Sequence, residues 1–161
     1  MVIFANEYNV PVSFILAEKL YKLGYAVGTH RCITRYDSDF IYDGDPEHPE
    51  SHKAGEIHIY DFWHRNNKEE KTLFECPFIE ELVAWLLTVH HIYIYAVPTL
   101  ECNYGMRWYC ETMRLEQERI TRTCSGNFPS RMEALMAAAE NVIDELLKQK
   151  TENAPCSEHF F

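Results

Sequence analysis

The sequence predicts an α+β fold: an antiparallel sheet with helices packed on one face, its C-terminal half running α-β-β-β-α. Three observations predict it. Apolar residues recur at helical spacing over 78–89 and again over 135–147. Between those stretches lie three runs rich in β-branched and aromatic residues, at 92–97, 106–115 and 118–124. The connections leave almost no slack, which fits strands that return antiparallel rather than by long crossovers.

Pro11-Val12-Ser13 opens the first helix. Ser13 is placed to cap its free amides. Leu16, Ala17, Leu20, Tyr21 and Leu23 form its apolar stripe, and Gly24 suits the left-handed position that closes it. Residues 29–36 are rich in β-formers without a helical period and predict a strand. The stretch 37–55 reads as an acidic loop. Asp37, Asp39, Asp43, Asp45, Glu47 and Glu50 precede its first lysine, and Gly44, Pro46, Pro49 and Gly55 punctuate it. A strand at 56–63, a polar turn at 65–68 and a returning partner strand at 71–75 follow.

Pro77 fits the first turn of the second helix, where its missing N–H costs nothing. Phe78, Leu82, Trp85, Leu86 and Val89 share one face, and Ile79, Val83 and Leu87 widen it. This predicts the most buried helix of the chain, with Trp85 central to the core. The chain turns at His90-His91 into the strand at 92–97, passes a loop at 98–105, and makes a hairpin turning near Glu116-Gln117. The last helix opens on a capping box, Ser130-Arg131-Met132-Glu133. Leu135, Met136, Ala139, Val142, Ile143, Leu146 and Leu147 follow at helical spacing, and Lys148 and Lys150 suit its negative end. The whole reads as a single domain over 1–161, with its core over 12–148 and a frayed tail at 151–161. Helix followed by strands occurs at 13–63 and again at 78–124, without a residue-level repeat.

Composition bounds the function classes. With 47% hydrophobic and 14% aromatic residues in 161, the chain has ample material for a core, which argues against disorder. The net charge is −10, spread evenly: eight basic against thirteen acidic residues up to Glu75, and seven against twelve after it. Neither half is basic, so bulk attraction to phosphate backbones is not expected. No apolar run reaches the roughly 18 residues of a membrane span. Met-Val-Ile-Phe-Ala-Asn-Glu shows no cationic segment ahead of an apolar one, so a secretory signal is not indicated and the cytoplasm is the expected compartment. The six cysteines form no C-x-x-C pair, and in that compartment read as buried thiols rather than a disulfide framework.

Several stretches resemble a family. Val-Ser-Phe-Ile-Leu-Ala-Glu-Lys-Leu-Tyr-Lys-Leu-Gly-Tyr, from Val12 to Tyr25, is similar to a "V-S-F-E-x-A-x-x-L-K-x-x-G-F" helix. Gly55-Glu56-Ile57 parallels a "G-E-L" strand. Cys76-Pro77-Phe78, Trp85-Leu86 and His90-His91-Ile92-Tyr93-Ile94 parallel an "A-P-T…W-L-R-E-x-H-x-I-x-I" unit, and 129–147 parallels a closing helix. These mark a resemblance to small uncharacterised α+β proteins found in phages and mobile elements of Bacteroides-type gut bacteria. Leu87-Thr88 departs from that pattern, which has a charged Arg-Glu pair there, and the acidic loop is longer. The motifs are structural, so the resemblance implies a fold and a setting and carries over no functional residues.

Each candidate site has a plainer reading beside it. His48-x-x-x-His52 has helical spacing, but Pro46 and Pro49 argue against a helix. Cys156-x-x-His159 and His30-Arg31-Cys32 supply two ligands each, short of the three or four a zinc site needs. Asp37, Asp39, Asp43, Gly44 and Asp45 look like a calcium loop, but Ile41 and Tyr42 stand where an EF-hand needs its third acid and its glycine. No metal and no cofactor are expected. Tyr60, Phe62, Trp63, Tyr93, Tyr95, Trp108 and Tyr109 lie on strands, where core packing and cross-strand pairing account for most aromatics. The sharper reading takes Tyr60, Phe62, Trp63, Tyr93 and Tyr95 as an interaction surface on the sheet face that helices leave open. Arg114 and Arg122 can neighbour across the hairpin as an anion site, although ordinary ion pairs with nearby glutamates are the plainer account.

No catalytic triad context, nucleotide loop or nucleophile elbow is present. The α-β-β-β-α order matches double-stranded-RNA-binding domains by topology, but the last helix starts Ser130-Arg131-Met132-Glu133 without the basic cluster such domains use. The expectation is a non-enzymatic accessory protein acting through protein contacts. The alternatives are an enzyme whose site is not legible in sequence, and nucleic-acid binding by the α-β-β-β-α unit.

Overall fold

The computed structural model describes residues 10–27, 31–36, 40–42, 50–61, 71–101, 105–116 and 119–153. The fold is α+β, with antiparallel sheets, and the chain divides into two compact units, Pro11–Phe78 and a second formed from Ile79 onward that Val10 joins.

The first unit holds α1 (Phe14–Leu23), β1 (Arg31–Tyr36), β2 (Phe40–Tyr42), β3 (Glu50–His52), β4 (Ile57–Asp61) and β5 (Lys71–Glu75). Both ends of α1 are capped as the sequence predicts. The Ser13 hydroxyl accepts from the Leu16 amide at 3.2 Å, and Gly24, at φ 90°, sends its N–H back to the Leu20 and Tyr21 carbonyls. The buried stripe is Phe14, Leu16, Ala17 and Leu20, whereas Tyr21 is exposed and lies with its ring 5.4 Å from Phe74.

The sheet order is β4-β1-β5. The expected hairpin between 56–63 and 71–75 is therefore replaced by a sheet in which both strands flank β1. The reason is burial. Cys32, Ile33, Thr34 and Tyr36 are all buried, so both faces of β1 are covered and it takes the centre, while Ile57 and Ile59 on β4 remain exposed at an edge. Ile33 pairs with Ile59 on one side and Phe74 on the other. On that face α1 packs, with Phe14 5.4 Å from Phe74 and the Arg35 guanidinium 4.8 Å above Phe14. The acidic stretch is not all loop: β2 and β3 pair antiparallel, Phe40 with His52 and Tyr42 with Glu50. Its base is closed by Tyr36 N–H donating to the Glu56 carbonyl at 3.0 Å and Gly55 N–H to the Tyr36 carbonyl at 2.7 Å. The unit's ends meet, since Val12 N–H donates to the Pro77 carbonyl at 3.0 Å and Pro11 bridges Phe78.

The second unit holds α2 (Ile79–His90), β6 (Ile92–Glu101), β7 (Gly105–Glu116), β8 (Arg119–Phe128) and α3 (Arg131–Glu152). The strands run in the order β6-β7-β8, and α3 lies across all three while α2 packs on β6 and α3. Ile92, Ile94, Cys110 and Thr112 are the buried residues of the covered face. β6 continues through Pro98 to Glu101, further than the sequence indicates. Pro98 is tolerated because β6 is an edge strand in this order, where a missing N–H need not cost a ladder bond. β8 likewise runs on to Phe128, past a bulge: Cys110 pairs with Ser125 but Trp108 with Phe128. Gly126 sits in the bulge at φ 84°.

The burial ranking of the helices differs from expectation. α3 buries Met132, Ala134, Leu135, Ala138, Ala139, Val142 and Ile143, whereas α2 buries Ile79, Leu82 and Leu86. Trp85 is half-buried and Leu87 and Val89 are exposed, because a helix packed on an edge strand and one neighbour covers a narrower stripe than its apolar content allows. α3 extends to Glu152, past the end of its apolar period. Its start is capped by Ser130 as predicted, Oγ accepting from Glu133 N–H at 3.2 Å, but the Glu133 carboxylate accepts from that same hydroxyl at 3.1 Å rather than from the Ser130 amide. Residues 154–161 of the expected tail lie outside the described residues.

Candidate functional site

Alternation along the strands of the second unit sorts their side chains. Ile92 and Ile94 on β6, and Cys110 and Thr112 on β7, meet the helices. Odd-numbered positions form the other face: Tyr93, Tyr95 and Val97 on β6, and Tyr109, Glu111, Met113 and Leu115 on β7. The register pairs Tyr93 with Met113, Tyr95 with Glu111 and Val97 with Tyr109. Tyr93 and Tyr95 stack, ring centroids 5.3 Å apart and planes at 27°. The Tyr95 hydroxyl donates to the Glu111 carboxylate. Leu115 is 59% exposed and Tyr93 39%, with Tyr95, Val97, Tyr109 and Met113 half-buried. The face is thus apolar and aromatic, with one carboxylate held in place by a phenol. At one end, Arg107 donates from Nε to Asn127 Oδ1 at 2.8 Å and from Nη2 to the Asn127 carbonyl at 3.1 Å. The bulge places Asn127 for this pair.

Of the residues expected on an interaction surface, the structure brings Tyr93 and Tyr95 together. Tyr60 belongs to β4 of the other unit, where its backbone pairs with Cys32, and Phe62 and Trp63 lie outside the described residues. Trp108 and Tyr109, adjacent in sequence, fall on opposite faces. Glu111 is absent from the residues the sequence singles out for this surface. Alternation from Tyr109 points to it, but only once the β6–β7 register is known.

The expected neighbours Arg114 and Arg122 are out of step. Arg114 pairs with Thr121 and Arg122 with Met113, so the two occupy successive rungs of the ladder and do not stand opposite each other. Arg114 lies on the helix side, its side chain 17% exposed, and forms an ion pair with Glu145 of α3. A groove of about 400 Å³ opens there between α3 and the β7–β8 hairpin, lined by Thr112, Arg114, Thr123, Asn141 and Glu145 among others.

Among the described residues, no group of three or more His, Cys, Asp or Glu is placed to hold a metal ion, and no helix is long and apolar enough to cross a membrane. Cys32, Cys76 and Cys110 are buried thiols; Cys76 Sγ donates to the Val12 carbonyl at 3.6 Å and Cys110 Sγ to that of Tyr95 at 3.3 Å. No family model, curated protein or solved structure matches the chain.

Proposed function

We propose that this chain is a non-enzymatic interaction protein that docks a protein partner on the open face of the β6-β7-β8 sheet. The observation that carries the reading is the run of Tyr93, Tyr95, Val97, Tyr109, Met113 and Leu115 on the side opposite the helices, with Leu115 59% exposed. Tyrosine and methionine concentrate at protein interfaces, tyrosine because it buries much area at a small conformational cost and methionine because its flexible thioether fits irregular surfaces. The stacked tyrosines and the phenol–carboxylate bond fix that surface in advance, which reduces the ordering cost of binding. In keeping with its family resemblance, the chain would act as a cytoplasmic accessory factor of a phage or mobile element.

Recognition of double-stranded RNA, the other use of this topology, finds less support. Arg131, the basic residue of the first turn of α3, is engaged with Glu80 at 3.1 Å. The chain as a whole carries a charge of −10.

The test is affinity capture from host cells with the intact chain and with a Tyr93→Ala/Leu115→Ala double variant. Both residues are well exposed, so the variant should melt near the parent. The captured partner should fall by at least about tenfold, the size expected when a central aromatic anchor is lost. A variant that melts normally and captures the same protein equally well would rule out this face.

A further inference from the structure

We infer that the groove between α3 and the β7–β8 hairpin is a binding site for a small zwitterion of the amino-acid class. The argument starts from Arg114. Its side chain is 17% exposed, so its charge is largely withdrawn from water, and its ion-pair partner Glu145 is 57% exposed on α3. A guanidinium so placed offers more donors than one carboxylate uses, and it is always charged. It lies at the wall of a groove of about 400 Å³, within the size range of small-molecule sites.

The rest of the lining sets the ligand class. Thr112, which is 8% exposed, and Thr123 contribute hydroxyls from β7 and β8, where the register pairs them, and Asn141 contributes an amide from α3. Asp144 and Glu145 stand on the α3 side. A ligand with only a negative group would meet two carboxylates, and one with only a positive group would meet Arg114. A molecule carrying both charges can place its carboxylate on Arg114, sharing the guanidinium with Glu145, and its ammonium toward the α3 carboxylates. Ala138 and Val142 form the apolar part of the wall, which favours a short aliphatic side chain over a charged one.

The site is separate from the sheet's open face, since Thr112 and Arg114 point to the helix side. It can therefore fail or succeed independently of docking on that face.

The experiment is an amide-resolved NMR titration of the intact chain with L-valine, with N-acetyl-valine, which keeps only the negative charge, and with valine amide, which keeps only the positive. L-valine should shift the Thr112, Thr123 and Asn141 resonances with a Kd on the order of 1 mM, and each derivative should bind at least about tenfold more weakly. Arg114→Gln should weaken L-valine by a similar factor. Thr123→Val, an isosteric change at an exposed position, should weaken it without altering the melt, which covers the case of an unfolded Arg114 variant. Equal binding of N-acetyl-valine and L-valine would overturn the zwitterion assignment. Shifts absent with L-valine, or mapping away from the groove, would overturn the site.

Discussion

Trp85 and His90 meet edge to face, their ring centroids 4.7 Å apart and their planes at 71°. His90 Nε2 is buried there without a hydrogen-bond partner among the described residues. Burial lowers the imidazole's pKa from its ordinary value, and neighbouring His91 lowers it further. Because the folded pKa is depressed, the unfolded chain takes up the proton first. Stability is therefore full above about pH 6.5 and falls as pH drops through that value, levelling off once the folded imidazole also protonates. The expected outcome is a melting temperature that declines between about pH 7 and pH 5, with a shallower decline in His90→Leu, whose side chain does not titrate. Identical slopes in the two proteins over that range would remove His90 from the account.

The half-burial of Trp85 predicts a ranking within α2. Leu86 is fully buried, and Leu86→Ala should cost about 2–5 kcal/mol through lost transfer energy and a cavity. Trp85 is only half-buried, so its truncation leaves no sealed cavity, and Trp85→Ala should cost less than Leu86→Ala, through lost burial and the lost contact with His90. Urea unfolding of both variants checks the order. A larger loss at Trp85 than at Leu86 would restore the tryptophan to the core.

The contrast between those two residues shows what the sequence could and could not convey. Periodicity located α2 and α3 because a helix needs only its own neighbours to declare itself. Ser13, Gly24 and Ser130 were legible for the same reason: a cap is a local hydrogen bond. Which helix is buried more deeply depends on what lies across from it, and that is a tertiary fact. The same limit explains β5. Its residues read as a strand, but whether it pairs with β4 or β1 depends on which strand has both faces covered, and the burial of Cys32 and Thr34 as well as Ile33 settled it for β1. Tyr93 and Tyr95 were legible as surface candidates because they are aromatics on a strand of a sheet with one face left open by the helices. Glu111 beside them, and the exchange of Arg122 for Glu145 as the neighbour of Arg114, required the register.

The cap of α3 gives a local prediction. Ser130 Oγ accepts from Glu133 N–H and so satisfies one of the helix's free amides. Ser130→Ala should destabilise by about 0.5–2 kcal/mol, and Ser130→Asp, which keeps the acceptor and suits the positive helix end, by much less. Thermal melts of the two variants decide this. Equal loss in both would mean that the hydroxyl is held for its packing rather than for the cap.

The bulge in β8 ties a backbone shape to a ring. A Cβ built on Gly126 would fall 1.9 Å from Phe128 Cε2 and 2.4 Å from its Cζ, so any side chain there must displace the phenyl ring. Gly126 also holds φ 84°, a left-handed conformation that costs an L-residue about 1–2 kcal/mol. Gly55 has the same φ of 84° and nothing within 4 Å of its Cβ position, so it isolates the backbone part of the cost. Gly55→Ala should therefore destabilise by about 1 kcal/mol, and Gly126→Ala by about 2–3 kcal/mol because the ring loses its place as well. In a Phe128→Ala background the excess at Gly126 should disappear, leaving a cost close to that at Gly55. Chemical denaturation of the four variants closes the cycle. If Gly126→Ala proves no costlier than Gly55→Ala in the parent chain, Phe128 does not pack over the bulge, and the glycine is there for its backbone alone.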